Sequence, residues 1–298
     1  MTHPTDNDPA QHPLEADAQH AHPRHPLDQA PVQRKAAPAQ PRKKPEQLIR
    51  LPQRVKKPYA TYVLLGLNIA IFVVGLLSAQ ANEWLLYHGV NIPYLTTHGE
   101  PWRLVTSMFL HANIMHIFFN GYALFYLGKL LEPLFGRTRF LLIYFLGGLG
   151  GSVLGTLMNE GGLGASGAVF ALWAGELLYL YRNQGLYGEW GRQRMRQSMI
   201  FMGLNFAYGL FVNLTAEAGG TLIGNFAHLG GLIGGALLTY AIGPRIHIPP
   251  QTPTIINDIK VYDAEDQNAS LTNWLPWLVA YGIGLLIIMV VAAQIISL

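Results

Sequence analysis

Seven stretches of the chain are apolar for long enough to cross a membrane: about 58 to 79, 113 to 131, 139 to 158, 165 to 183, 198 to 214, 222 to 243 and 273 to 297. A hydrocarbon core of about 30 Å needs roughly 20 helical residues. Backbone groups in lipid must find partners within the protein, so each run is a helix or a strand of a closed barrel. The runs are continuous and lack the alternation of barrel strands, which selects helices. The pattern therefore predicts an all-α polytopic membrane protein with seven spans, the fifth run being the shortest.

The polar stretches divide this pattern into domains. Residues 1–56 are rich in Pro, His, Gln, Asp and Lys and poor in aromatic and branched residues. A segment that can bury so little does not offset its ordering entropy, and a disordered tail is expected. Its acidic residues and lack of a short apolar core argue against a targeting signal. His3, His12, His20, His22 and His25 are too irregularly spaced to specify a metal site. Residues 57–244 then hold six spans, 245–271 form a polar linker with Pro249, Pro250 and Pro253, and 272–298 hold the seventh span. The segment from 80 to 112, with Trp84, Tyr87, His88, Tyr94, Trp102 and Arg103, is too aromatic for a free aqueous loop and is expected in the membrane interface.

The net charge of +3 reports topology once its carriers are placed. Ten of the twenty Lys and Arg precede residue 58, and nearly all the rest fall in alternate connections; Arg103 is the exception. The positive-inside rule puts the N-terminus, the tail and the linker in the cytoplasm. The charge points towards anionic lipid and away from nucleic acid. Cysteine is absent, which excludes a disulfide framework and a thiolate nucleophile.

Polar side chains inside spans are costly and mark candidate function. Here they are His116, Asn120, Ser166, Glu176 and His228. The seven-span topology puts all but Glu176 at one depth, in the outer half. Ser166 heads the fourth span within Gly164-Ala165-Ser166-Gly167, where unpaired helix N–H groups suit a developing oxyanion. His228 is the natural base for a serine nucleophile. His116 and Asn120 lie one turn apart and share a face. No carboxylate shares their layer, so a Ser–His dyad is expected, with Phe170 placed to stack on the imidazole. Glu176, ten residues into its span, is about 15 Å below Ser166; it is read as a structural carboxyl or as part of an ion pathway. Gly230/Gly234 and Gly231/Gly235 form two small-xxx-small pairs, for which close packing on the fourth span is expected.

These residues resemble the rhomboid family of intramembrane serine proteases. The resemblance rests on Trp102-Arg103, on His111, His116 and Asn120 in an H-x4-H-x3-N pattern, on Glu132 with Gly136, on Gly164-Ala165-Ser166-Gly167 and on Ala227-His228-Leu229-Gly230-Gly231. It covers roughly residues 58–243 and implies a six-helix bundle, followed here by one extra C-terminal transmembrane helix. It implies Ser166 as nucleophile, His228 as base, and Ser166 N–H, His116 and Asn120 as the oxyanion hole. Glu132 would belong to a structural network, and Gly231 to a tight contact with the fourth span. Substrates would be single-span membrane proteins entering past the fifth span and the loop 213–221. No metal or organic cofactor is implied. Phe170 stands where many members carry Tyr. A non-proteolytic member that binds membrane clients is the alternative, and a small transporter using Glu176 is a third reading. A bacterial inner membrane is the expected location.

Overall fold

The computed structural model describes residues 47–52, 54–215, 223–250, 253–257 and 259–297. The histidine-bearing stretch of the tail and most of the loop 213–221 lie outside the described residues.

All seven apolar runs are helices: α1 (Tyr59–Leu77), α5 (Ile114–Phe135), α6 (Arg137–Leu157), α7 (Ser166–Arg182), α8 (Gln184–Thr215), α9 (Asn225–Ile242) and α10 (Leu271–Ile296). Between α1 and α5 the chain forms the short helices α2 (Ala79–Gly89), α3 (Pro93–Thr97) and α4 (Arg103–Thr106) and a 3-10 turn at Ser107–Phe109. Six of the seven long helices are long and apolar enough to cross a membrane, and the chain is a multi-pass integral membrane protein. The remaining one, α7, has only 17 residues, about 25 Å of helix. It sits at the centre of the bundle and packs on α5, α6, α8 and α9. Along α8 the backbone breaks at Gly188 (φ 50°), which turns the chain into the span.

Glycine decides how closely the central helices approach. Gly231 and Gly235 of α9 lie against the backbones of Gly167 and Ala171 of α7, the partner expected from sequence. Gly230 and Gly234, on the adjacent face, instead meet α6 at Gly150, Gly151 and Gly147. The two small-residue pairs thus wedge α9 between two helices. In helices without a hydrophobic drive to associate, such close backbone contact supplies the van der Waals attraction.

Buried charges tie the ends of the bundle. Glu132 of α5 is fully buried and accepts hydrogen bonds from Ala60 N (3.0 Å), Thr61 N (2.8 Å) and Thr61 Oγ1 (2.8 Å). Pro58, preceding α1, supplies no side-chain cap, so Glu132 satisfies the orphan N–H groups from another helix. Glu176 of α7 pairs with Arg194 of α8 and accepts from Ser198 Oγ at 2.6 Å. Its burial is thus compensated by a cation on the next helix, the arrangement of a structural carboxyl.

The expectation of disorder through residue 56 is overturned at its end. Gln47–Arg50 form strand β1, paired in parallel with β4 (Ile259–Asp263), which also pairs antiparallel with β3 (Thr254–Ile256). The averaged composition of a long polar tail hides Leu48 and Ile49, and β4, rich in branched and aromatic residues, offers them a free edge. The linker is ordered around Asp266, on strand β5 (Glu265–Asp266), which pairs with β2 (Ile246–His247). Asp266 Oδ2 accepts from Arg54 (2.8 Å) and Arg139 (2.6 Å), and Oδ1 from the backbone of Arg245 and Asn268. Burial alone raises its carboxyl; the hydrogen bonds from Arg139, Arg245 and Asn268 outweigh it and hold Asp266 below the ordinary carboxylate range. The knot joins the chain before α1, the start of α6 and, through Asn268 and the Trp274 indole, the start of α10. Most of α10 is exposed, as a lipid-facing helix should be, with Tyr281 donating to Leu146 O of α6 at 3.0 Å.

Candidate active site

Ser166 opens α7 because the turn before it is built for a close approach. Gly164 has φ +121°, a conformation that side chains avoid, and its N–H donates to Ser107 O at 2.8 Å. A two-way backbone pair between Asn91 and Gly162 (3.0 and 2.9 Å) fastens the same connection to the α2–α3 segment. Asn91 is itself buried, with its side chain bonded to Thr156 and Thr96.

His228 lies one turn into α9, 7% exposed. Its Nε2 is 2.8 Å from Ser166 Oγ. The other ring nitrogen, Nδ1, has no hydrogen-bond partner among the described residues. The ring is held by aromatic packing: Phe170 stacks on it at 4.4 Å with 10° between planes, and Phe206 of α8 meets Phe170 edge-on at 5.2 Å. Phe170 is one turn after Ser166, so nucleophile and imidazole rest on the same face of α7.

His116 and Asn120 come from the first turns of α5. Asn113 caps that helix by accepting from His116 N at 2.9 Å. His116 Nδ1 faces the N–H of Ala112 at 3.4 Å. With Nδ1 as acceptor, the proton of the neutral ring belongs on Nε2. That nitrogen faces the serine turn: a side-chain carbon on Gly164 would stand 2.6 Å from it. One Asn120 Nδ2 hydrogen goes to His116 O (2.9 Å), leaving the other. Glu176 belongs to the pair with Arg194 and is not part of this group.

Three further residues build the site: Arg103 and His111, which the resemblance marks, and Glu160, which it does not. Arg103 is 1% exposed and holds the α2–α4 segment by donating to Tyr87 O and Val90 O (2.8 Å each) and Glu100 (2.6 Å). The cation thus sits on the carbonyl end of α2, where the helix dipole favours it. Glu160, in the glycine-rich connection, accepts from the N–H of Phe226 (2.8 Å) and Ala227 (3.2 Å) and so caps α9 beside His228. Burial raises its carboxyl above the usual range, against those N–H groups. A lone carboxylate near a helix whose cap position is Gly224 was the one available signal for it. His111 is buried with both ring nitrogens unpartnered among the described residues, and its ring meets His116 edge-on at 5.1 Å. Burial first, and the neighbouring His116 second, lower its pKa to about 4.

The arrangement has parts of an acyl-transfer site: a hydroxyl, a base in hydrogen-bond reach, and a histidine ring nitrogen facing the turn that carries the hydroxyl. The family model described as Rhomboid domain matches residues 98–245. Among curated proteins, the chain is 37% identical over 186 residues to "Putative rhomboid protease YdcA" of Bacillus subtilis, 56% of this chain and 86% of that one. It is 33% identical over 190 residues to Rhomboid protease GluP of the same bacterium, 63% of this chain and 35% of that one. It is 30% identical over 210 residues to Rhomboid-like protease 1 of Toxoplasma gondii, covering 70% and 62%. The chain belongs to the rhomboid family. It spans about a third of the length of GluP and of RHOMBOID-like protein 1 of Arabidopsis thaliana.

Proposed function

We propose that the protein is an intramembrane serine endopeptidase that cleaves single-span membrane proteins with a Ser166–His228 dyad. The observation that carries this reading is the 2.8 Å contact between Ser166 Oγ and His228 Nε2, stacked on Phe170. Nε2 takes the hydroxyl proton as Oγ attacks the carbonyl carbon of the scissile peptide. The resulting oxyanion is held by Ser166 N–H, His116 Nε2–H and the second Nδ2 hydrogen of Asn120. Collapse of the tetrahedral species breaks the C–N bond, and the leaving amine takes the proton from His228. Water then repeats the sequence on the acyl-enzyme and restores Ser166. These steps use no metal or organic cofactor.

Lateral entry past α8 is supported by its packing. α8 is fixed to α7 by Glu176 with Arg194 and Ser198, while Met199, Ile200, Phe201, Leu204, Tyr208, Leu210 and Phe211 beyond the clamp are exposed. The charge distribution supports a cytoplasmic N-terminus.

The test is cleavage of a panel of single-span substrates by purified wild type, Ser166→Ala and His228→Ala. Loss in both variants with wild-type folding is expected. Persistence in both overturns the dyad. Client binding that survives in all three, with no cleavage by wild type on any substrate, favours the non-proteolytic alternative.

A further inference from the structure

We propose that a recess at the ends of α7 and α9, away from the dyad, binds the phosphoryl headgroup of an anionic membrane phospholipid. The recess has a volume of about 320 Å³ and is lined by Arg182, Asn183, Tyr240, Pro244, Arg245 and Ile246. That volume falls at the lower end of small-ligand sites.

Charge is the first argument. Arg50, Arg54, Arg103, Arg137, Arg139, Arg192 and Arg194 each face a carboxylate, whereas neither Arg182 nor Arg245 does among the described residues. Asp266 receives only the backbone N–H of Arg245 and is itself buried under Arg139 and Arg54. Two guanidinium groups therefore share one concave surface with no counter-charge among the described residues.

Geometry is the second. The Arg182 guanidinium lies over the Tyr240 ring at 4.5 Å, which fixes its plane. Its contacts with Thr239 O and Tyr240 O are long, 3.3 to 3.4 Å, and its Nε donates to nothing among the described residues. A planar fork with donors to spare suits a phosphoryl group. Basic pockets between transmembrane helices are a recurring place for such headgroups.

The surroundings select lipid over free phosphate. Phe226, Leu229, Ile233, Leu237 and Tyr240 are all exposed and recur every three or four residues, forming one apolar stripe along α9 that ends at the recess. An acyl chain laid on the stripe brings its headgroup to the two arginines.

The experiment titrates the detergent-solubilised full chain with short-chain phosphatidylglycerol, with phosphatidylcholine, and with inorganic phosphate. Phosphatidylglycerol should bind in preference to phosphatidylcholine. Arg245→Gln should weaken it about fivefold and the Arg182→Gln/Arg245→Gln pair about thirtyfold, on the scale of one basic side chain at an anionic surface. Arg182 touches the end of α9, so Arg245→Gln, whose side chain makes no hydrogen bond among the described residues, keeps the test free of folding effects. Wild-type affinity in a folded double variant overturns the site. Inorganic phosphate binding as tightly, with the same arginine dependence, overturns lipid as the source of the phosphoryl group.

Discussion

Replacing Gly231 with alanine puts a methyl group where α9 touches α7. The added carbon overlaps Gly167 O and stands 2.8 Å from Gly167 C and 3.1 Å from Gly167 Cα. These are backbone atoms of the first turn of α7, so no side-chain rotation relieves the contact. Ordinary contact begins near 3.4 Å, so the helices must part by about 0.6 Å for the carbonyl carbon and further for the oxygen. Ser166 adjoins Gly167, and His228 is one turn before Gly231. A separation approaching 1 Å therefore stretches the 2.8 Å Ser166–His228 contact past hydrogen-bond range. A misplacement of about 1 Å costs on the order of 100-fold in rate, and overpacking costs about 1–3 kcal/mol in stability. The assay is kcat on a fluorogenic single-span substrate, with thermal unfolding measured in parallel. Gly203→Ala and Gly284→Ala, where an added carbon meets nothing within 4 Å, should stay within about twofold of wild type. Wild-type kcat in Gly231→Ala would refute the claim that the glycine contact sets the dyad distance.

Other perturbations probe the supports of the site. Phe170→Leu removes the ring stacked on His228 and should lower kcat about fivefold at constant KM, as expected for an aromatic pair of about 1 kcal/mol; an unchanged kcat would show that the stack does not hold the imidazole. Glu160→Ala uncaps α9 and should cost about 1 kcal/mol of stability, with faster amide exchange at Phe226 and Ala227; unchanged exchange there contradicts the cap. For His111, the folded pKa of about 4 lies below the ordinary 6.5, so the unfolded chain binds a proton that the folded chain refuses. Its contribution is complete above pH 6.5 and is lost as pH falls towards 4, by up to about 3 kcal/mol. The acid loss of stability should shrink in His111→Phe, and identical pH profiles for variant and wild type would contradict the burial argument.

Much of this organisation is legible in the chain because a bilayer leaves few choices. An apolar run of about 20 residues has to be a helix, and all seven runs are. Polar residues in such runs are scarce enough that His116, Asn120, Ser166 and His228 stand out, and the structure brings Ser166 and His228 into contact. Residues in the connections carry no such contrast. Glu160 and Asn91 are ordinary loop residues in composition, yet each fastens a segment that positions the site. A tail judged by average composition likewise concealed β1, because four residues of strand need a partner more than 200 positions away.

The sequence by itself determined the helices, their apolar character and the polar side chains within them, since these follow from the local cost of placing each residue in lipid. Only the tertiary structure decided that Glu176 answers Arg194, that two adjacent glycine faces of α9 address different helices, and that the Nδ1 of His228 is unpartnered among the described residues. Such pairings depend on rotations and separations between helices. Those are set by the sum of many close contacts, and no single stretch of sequence contains them.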